Sequence, residues 1–144
     1  MAMSDDFDKF IDELQNEVNE EVQRQYSPNA LDLMARRPNH GVLKDATCKG
    51  NFRAEDGETM AFFLKIRNGI IEQASYITSG CQPAHAAGSQ VTFLVRGKSI
   101  EQAAGITTDV IWRAIGKMPA DTRHSVVLAE MALKNAIDNY KRQN

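Results

Sequence analysis

Residues 59–89 read TMAFFLKIRNGIIEQASYITSGCQPAHAAGS, and the fold turns on how this stretch changes period. From Thr59 to Arg67 the apolar residues Met60, Phe62, Leu64 and Ile66 take every second position, the spacing of a strand with one buried face. Asn68-Gly69 follows, a pair suited to the two positive φ angles of a tight hairpin turn, so Ile70 to Ile77 is predicted to return as the antiparallel partner. Past Cys81 the alternation stops. Pro83 to Val95 carries helical spacing, and Gly97 is placed to end it.

Upstream, Ala46 to Ala54 is predicted as a weaker strand, joined to Thr59 by the turn Glu55-Asp56-Gly57-Glu58; three sequential antiparallel strands result. Downstream, Ser99-Ile100-Glu101-Gln102 has the form of a capping box, and Thr107 or Thr108 can cap a short helix through Ile115. Ala120 to Tyr140 is predicted as the last helix, with Val126, Val127, Leu128, Met131, Leu133, Ile137 and Tyr140 available for burial. Strands grouped together and then helices grouped together define an α+β class. Towards the N-terminus, Asn29 to Arg36 is predicted as a short helix with Pro28 in its first turn, broken by Arg37-Pro38-Asn39-His40-Gly41. Before it, Phe7, Phe10, Ile11, Leu14, Val18 and Val22 form the stripe of an amphipathic helix opened by Ser4, with a solvated acidic outer face.

At 144 residues the chain suffices for one compact domain. Residues 1–24 carry eight acids against two bases, a net −6, which leaves 25–144 at +4. An acidic N-terminal helical extension, 1–24, thus precedes an α+β domain, 25–144. The overall charge of −2 is not that of a polycationic nucleic-acid binder. No window holds the roughly 18 apolar residues of a membrane span, and the acidic N-terminus is unlike a signal peptide, so a cytoplasmic protein is expected. Two cysteines, Cys48 and Cys81, make no disulfide framework; in a reducing compartment both are thiols.

Cys81 falls where strand gives way to helix, behind Gly80, and a helix N-terminus favours the thiolate. An isolated cysteine there also serves as a small buried side chain. His85 lies one turn later, where it can share the face of Cys81 or pack among Ala84, Ala86 and Ala87. His124 has the same two readings, and Asp56 and Glu58 are two carboxylates in one turn. Cys48 is separated from Asp56 by eight residues of extended chain, about 26 Å, so the two cannot meet at one ion, and Cys48 is read as structural. A thiol enzyme using Cys81 with His85 or His124 as base lacks a Gly-rich oxyanion motif.

Several motifs occur in order: Tyr26-Ser27-Pro28, Arg37-Pro38-Asn39-His40-Gly41, Gly57-Glu58-Thr59-Met60 and Asn68-Gly69-Ile70-Ile71-Glu72-Gln73-Ala74. They continue with Thr78-Ser79-Gly80-Cys81, Gly88-Ser89, Val95-Arg96-Gly97-Lys98-Ser99 and His124-Ser125-Val126-Val127-Leu128-Ala129-Glu130. Together, over about 120 of 144 residues, they resemble the U-type iron-sulfur cluster assembly scaffold family, IscU and the N-terminal domain of NifU. The resemblance implies a three-stranded antiparallel sheet with helices packed against it, and a scaffold rather than an enzyme. Family members build a cluster on three thiolates assisted by an acid and a histidine.

This chain departs from that pattern. Where the family has a Cys-Gly-Asp turn it has Asp56-Gly57-Glu58; it keeps Cys81, and it has His124-Ser125 for a His-Cys pair. The resemblance therefore implies a metal set of Cys81, Asp56 and His124, with Glu58, His85 and Ser125 in reserve. Two oxygens in place of two sulfurs disfavour an iron-sulfur cluster held by one chain, whereas zinc accepts sulfur, imidazole and carboxylate together. The implied partners are a cysteine desulfurase delivering sulfur to Cys81 and recipient apoproteins, and two chains sharing a cluster through Cys81 would make a homodimer. Lys117-Met118-Pro119-Ala120-Asp121 replaces the family's paired prolines, which argues against an Hsp70-type chaperone partner. Two readings stand: a scaffold that binds iron or an iron-sulfur cluster and accepts sulfur at Cys81, or a degenerate paralogue holding one zinc-like ion, or none, as a regulatory or protein-binding module.

Overall fold

In the computed structural model, which describes residues 2–143 and side chains from Asp5 onward, Asn68 and Gly69 take φ angles of 54° and 76°. That turn pairs β2 (Thr59–Arg67) with β3 (Ile70–Thr78), placing Phe62 opposite Tyr76 and Arg67 opposite Ile70. A bulge at Lys65/Ile66 shifts the register once. On the other side of β2 runs β1 (Cys48–Arg53), with Gly50 opposite Phe62 and Arg53 opposite Thr59. The sheet is antiparallel, in the order β1-β2-β3. The first strand is shorter than the predicted 46–54, because Ala54 already donates to Glu58 in the turn (2.8 Å).

The helices are α1 (Ala2–Gln25), α2 (Pro28–Arg36), α3 (Gln82–Val95), α4 (Ile100–Ala104), α5 (Thr108–Ile115) and α6 (Arg123–Gln143). Side-chain caps start three of them where expected. Ser27 and Thr107 cap α2 and α5, and Ser99 and Gln102 form both bonds of a capping box on α4. Cys81 stands at the N-cap of α3. The last predicted helix divides: Ala120–Thr122 is a 3₁₀ turn, and α6 begins at Arg123. Val127 remains 44% exposed, since a helix cannot turn Val126, Val127 and Leu128 all inward.

α3 packs on β3, and α6 packs on β1 and β2. One face of the sheet, with Met60, Phe62, Leu64 and Ile71, is buried against Ala87, Val91, Leu133 and Ile137. The opposite face carries Lys49, Asn51, Arg53, Ala61, Phe63 and Ile77 and stays more open. No helix among the described residues is long and apolar enough to cross a membrane.

α1 differs from the expectation in two ways. It begins by Ala2, so Ser4 lies inside the helix and does not cap it. Its apolar stripe is also not covered: every residue from Asp5 to Gln25 is exposed.

The sheet and α6 meet unusually closely at Gly50, where a Cβ would lie 2.1 Å from the Ala136 nitrogen. Gly50→Ala must displace backbone, and we expect it to cost about 3 kcal/mol or more, read from the urea midpoint. Gly105→Ala, whose Cβ would meet nothing nearer than a carbonyl at 3.4 Å, should stay within about 1 kcal/mol of wild type. Equal effects would show that the contact is not tight.

Candidate functional site

The β1–β2 turn is held by its own backbone and one side chain. Gly57, at φ 93°, donates to the Ala54 carbonyl at 2.9 Å, and Asp56 Oδ1 accepts from the Glu58 N–H at 2.9 Å. Thr59 leaves the turn tied to the end of β3, its N–H donating to Ser79 Oγ at 3.0 Å and its carbonyl accepting from Thr78 Oγ1 at 2.6 Å. These bonds bring the Gly80-Cys81 corner beside the turn. A Cβ on Gly80 would lie 2.6 Å from the Ala84 Cβ, so glycine is what lets the first turn of α3 fold back this closely, and the Glu58 carboxyl carbon lies 3.4 Å from the same point, beside the corner.

His124 approaches from the first turn of α6. Its Nδ1 lies 2.9 Å from the Asp121 carbonyl, which can only accept; Nδ1 therefore carries a proton, and the lone pair of this tautomer is at Nε2. That nitrogen is 3.9 Å from Glu58 Oε2, an oxygen buried from solvent and without a hydrogen-bond partner. Asp56, Glu58 and His124 each offer a ligand atom, all within 4.8 Å of one another. A buried carboxylate oxygen without a partner is costly unless a cation meets it. An imidazole held through its far nitrogen by a carbonyl is the arrangement metal-binding histidines adopt. Two carboxylates and one imidazole suit iron(II) or zinc; they are not the thiolate set that retains an iron-sulfur cluster.

The three-residue group differs in membership from the expected set. Glu58, expected in reserve, stands at its centre, and Cys81 lies outside it. Cys81 is exposed, its thiol makes no capping bond, and its carbonyl accepts the Ala84 and His85 N–H groups at 3.0 and 3.3 Å. Ser125, next to His124, is fully buried, and its Oγ has no hydrogen-bond partner. Cys48 is buried in the core, where desolvation raises its pKa to about 11.

His85 does not share an exposed face with Cys81. It is buried, with Nδ1 2.9 Å from the Tyr76 hydroxyl, which Ser89 Oγ also reaches at 3.2 Å. The His40 ring stands edge-on to His85 at 5.1 Å between centroids. Burial, then Arg37 and His40, push the His85 pKa down to about 4. Sequence reasoning missed this cluster because its members, His40, Tyr76, His85 and Ser89, come from three separate elements with no common spacing.

The profile of the NifU-like N-terminal domain family matches residues 25–144. The chain belongs to that family. The iron-sulfur cluster assembly scaffold protein IscU 1 of Archaeoglobus fulgidus is 34% identical over 120 residues, covering 83% of this chain and 78% of its own. The corresponding IscU of Aquifex aeolicus is 33% identical over 119 residues, covering 81% and 76%. The N-terminal NifU-like protein of Brucella abortus superposes with a TM-score of 0.65 at 18% identity, covering 85% of this chain and 99% of that one. This last likeness shows the fold: a three-stranded antiparallel sheet with helices, to which this chain adds α1 ahead of the matched NifU-like region.

The depressed pKa of His85 has a signed consequence. Between the unfolded value near 6.5 and the folded value near 4, the unfolded chain binds the extra proton, so stability is full above about pH 6.5 and falls as pH drops towards 4. The loss should amount to up to about 3 kcal/mol in urea unfolding, and His85→Gln should flatten that part of the profile. An unchanged slope in the variant would assign the titration to another group.

Proposed function

We propose that this chain is an iron-sulfur cluster assembly scaffold that loads iron(II) on Asp56, Glu58 and His124 and receives sulfur on Cys81. Iron is cargo in this reading, not a resident cofactor. The observation that carries it is the buried, unpartnered Glu58 Oε2 facing the free Nε2 of His124. The family membership supports the scaffold role, and relatives of similar length bear that name.

Each residue has a distinct part. Glu58 supplies charge from inside the corner, His124 an imidazole nitrogen oriented by the Asp121 carbonyl, and Asp56 an exposed carboxylate at the mouth. Cys81 is solvent-accessible at the N-cap of α3. With a cysteine desulfurase as donor, the Cys81 thiolate attacks the terminal sulfur of the donor's persulfide. A new S–S bond forms, the old one breaks, and the donor cysteine leaves as a thiolate with no net oxidation. Completion of a cluster then needs thiolates beyond Cys81, from a second chain or a recipient apoprotein, because oxygen ligands hold the cluster weakly.

A second reading rests on the same donor set. Asp56, Glu58 and His124 also fit a single zinc ion, with the chain acting as a regulatory module. Titration of the apo-protein with iron(II) under anaerobic conditions, and separately with zinc, should give one site per chain. Glu58→Gln and His124→Ala should each weaken it at least about tenfold. Sulfur transfer is read by intact mass after incubation with a desulfurase and cysteine: one added sulfur on the wild type, none on Cys81→Ser. Metal binding without sulfur uptake would leave the zinc module standing; metal affinity unmoved by both variants would remove the site.

The replacements at family cysteine positions give a gain-of-function test. The double substitution Asp56→Cys with Ser125→Cys should convert the site to three thiolates and let one chain retain a cluster, with visible charge-transfer absorption after reconstitution. A colourless double variant that still folds would mean that these positions do not converge with Cys81.

A further inference from the structure

The six apolar residues of the α1 stripe lie open, from Phe7 and Phe10 at 62% and 57% exposure to Val22 at 38%. An isolated, uncovered amphipathic helix gains little from its apolar face, since most helical stability in proteins comes from packing that face. The helix is also strongly acidic, with the net −6 of residues 1–24. Whatever covers it must be apolar at its centre and basic around it. Two α1 helices side by side would instead set like charge against like charge.

The molecule offers a surface of that kind. On the open face of the sheet, Lys49, Phe63 and Ser75 lie in one row across the strands, and Asn51, Ala61 and Ile77 in the next. A hollow on this face is lined by Asn51, Arg53, Ala61 and Ile77, and a second, at the β1 edge, is lined by Lys49 and Phe63 from this face together with Val42, Lys44 and, from α6, Arg142. Between them they are lined by Lys44, Lys49, Arg53 and Arg142 and by no acidic side chain. Asp45, close by in sequence, is engaged by Lys65 at 3.0 Å. Lengths agree as well: the stripe from Phe7 to Val22 spans about 22 Å, and a nine-residue strand about 30 Å.

The face that could receive α1 is not the helix's own. Only Tyr26 and Ser27 separate α1 from α2, and Ser27 is pinned to the helical layer, its N–H on the Lys117 carbonyl at 2.8 Å and its Oγ on the Ile115 carbonyl at 2.8 Å. α2 packs on α3, on the covered side of the sheet. Two residues cannot carry the helix around to the opposite face.

The geometry points to a reciprocal homodimer in which α1 of each chain lies across the open sheet face of the other, its stripe on Phe63, Ala61 and Ile77 and its acids against Lys49 and Arg53. The exchange closes on itself, and it makes two helix-on-sheet contacts per dimer, which a single 24-residue helix needs to approach the roughly 1,200 Å² of a stable interface. It is independent of the metal chemistry proposed above, since it uses none of those ligands.

Light scattering on the full chain should report a dimer whose dissociation constant rises with salt. Leu14→Asp, at an exposed position of α1, and the pair Lys49→Glu with Arg53→Glu should each weaken it by about tenfold or more. For the geometry, Val18→Cys and Ala61→Cys are placed on separate chains lacking Cys81 and mixed under mild oxidation. A disulfide-linked dimer should form in the mixture and not in either variant alone. A monomer at high concentration, a dimer indifferent to Leu14→Asp, or cross-linking of Val18→Cys to itself would overturn the proposal. So would an intrachain disulfide in a monomeric chain carrying both cysteines.

Discussion

The contact on which the rest of the molecule depends is the seating of α6 on β1 at Gly50. No side chain fits between the Gly50 Cα and the backbone at Ala136. Asn135 and Asn139 fasten the crossing, accepting from the Asn51 N–H at 2.9 Å and donating to the Lys49 carbonyl at 2.8 Å, so polar groups of the edge strand are satisfied by the helix. From that point β1 runs three more residues to Arg53, about 10 Å, before the turn that carries Asp56 and Glu58, and twelve residues of helix lead back from Ala136 to His124, about 18 Å. The crossing at Gly50 thus sets the line along which α6 brings His124 towards the β1–β2 turn.

The Cys81 side of the site is set by a second glycine. A Cβ on Gly88 would fall 2.5 Å from the Tyr76 ring, so α3 lies directly on β3 and its N-terminus projects to the strand's end. Tyr76, His85 and Ser89 then form the buried polar core of that crossing, which accounts for a histidine that stays neutral and stands apart from the Asp56, Glu58 and His124 group. The site is therefore assembled at the ends of elements whose packing is decided several turns away. Ligands there can change from sulfur to oxygen while the elements that carry them stay in place.

How much of this could be read from the sequence follows from what each signal encodes. The β2–β3 hairpin was legible because Asn68-Gly69 and the alternation of Met60, Phe62, Leu64 and Ile66 are local and agree with each other. The capping box at Ser99 and the cap at Thr107 were legible for the same reason. The exposure of Val127 was not, because three consecutive apolar residues do not say which of them faces out. Nor was the separation of Cys81 from the carboxylate-imidazole group, which depends on how the β1–β2 turn and the first turn of α6 pack together. His85 shows the limit most plainly: spacing placed it one turn from Cys81, and only the packing of Tyr76 against α3 decided that it faces inward.

The substitution pattern also has an internal logic. Replacing one thiolate by a carboxylate in an otherwise thiolate site would leave a mixed centre, whereas the resemblance to the family pattern implies that both thiolate positions outside Cys81 are oxygen here, at Asp56 and Ser125, and that the acid is one methylene longer as Glu58. The longer side chain lets the carboxyl reach past Gly57 to the corner at Gly80, where Oε2 is removed from solvent. Burial strengthens its attraction for a divalent ion, since the field there is less screened than at the exposed Asp56. A hard carboxylate-imidazole site and a solitary accessible thiol then occupy neighbouring corners of one fold. In the function proposed above, they divide between metal and sulfur the work that three thiolates would do together.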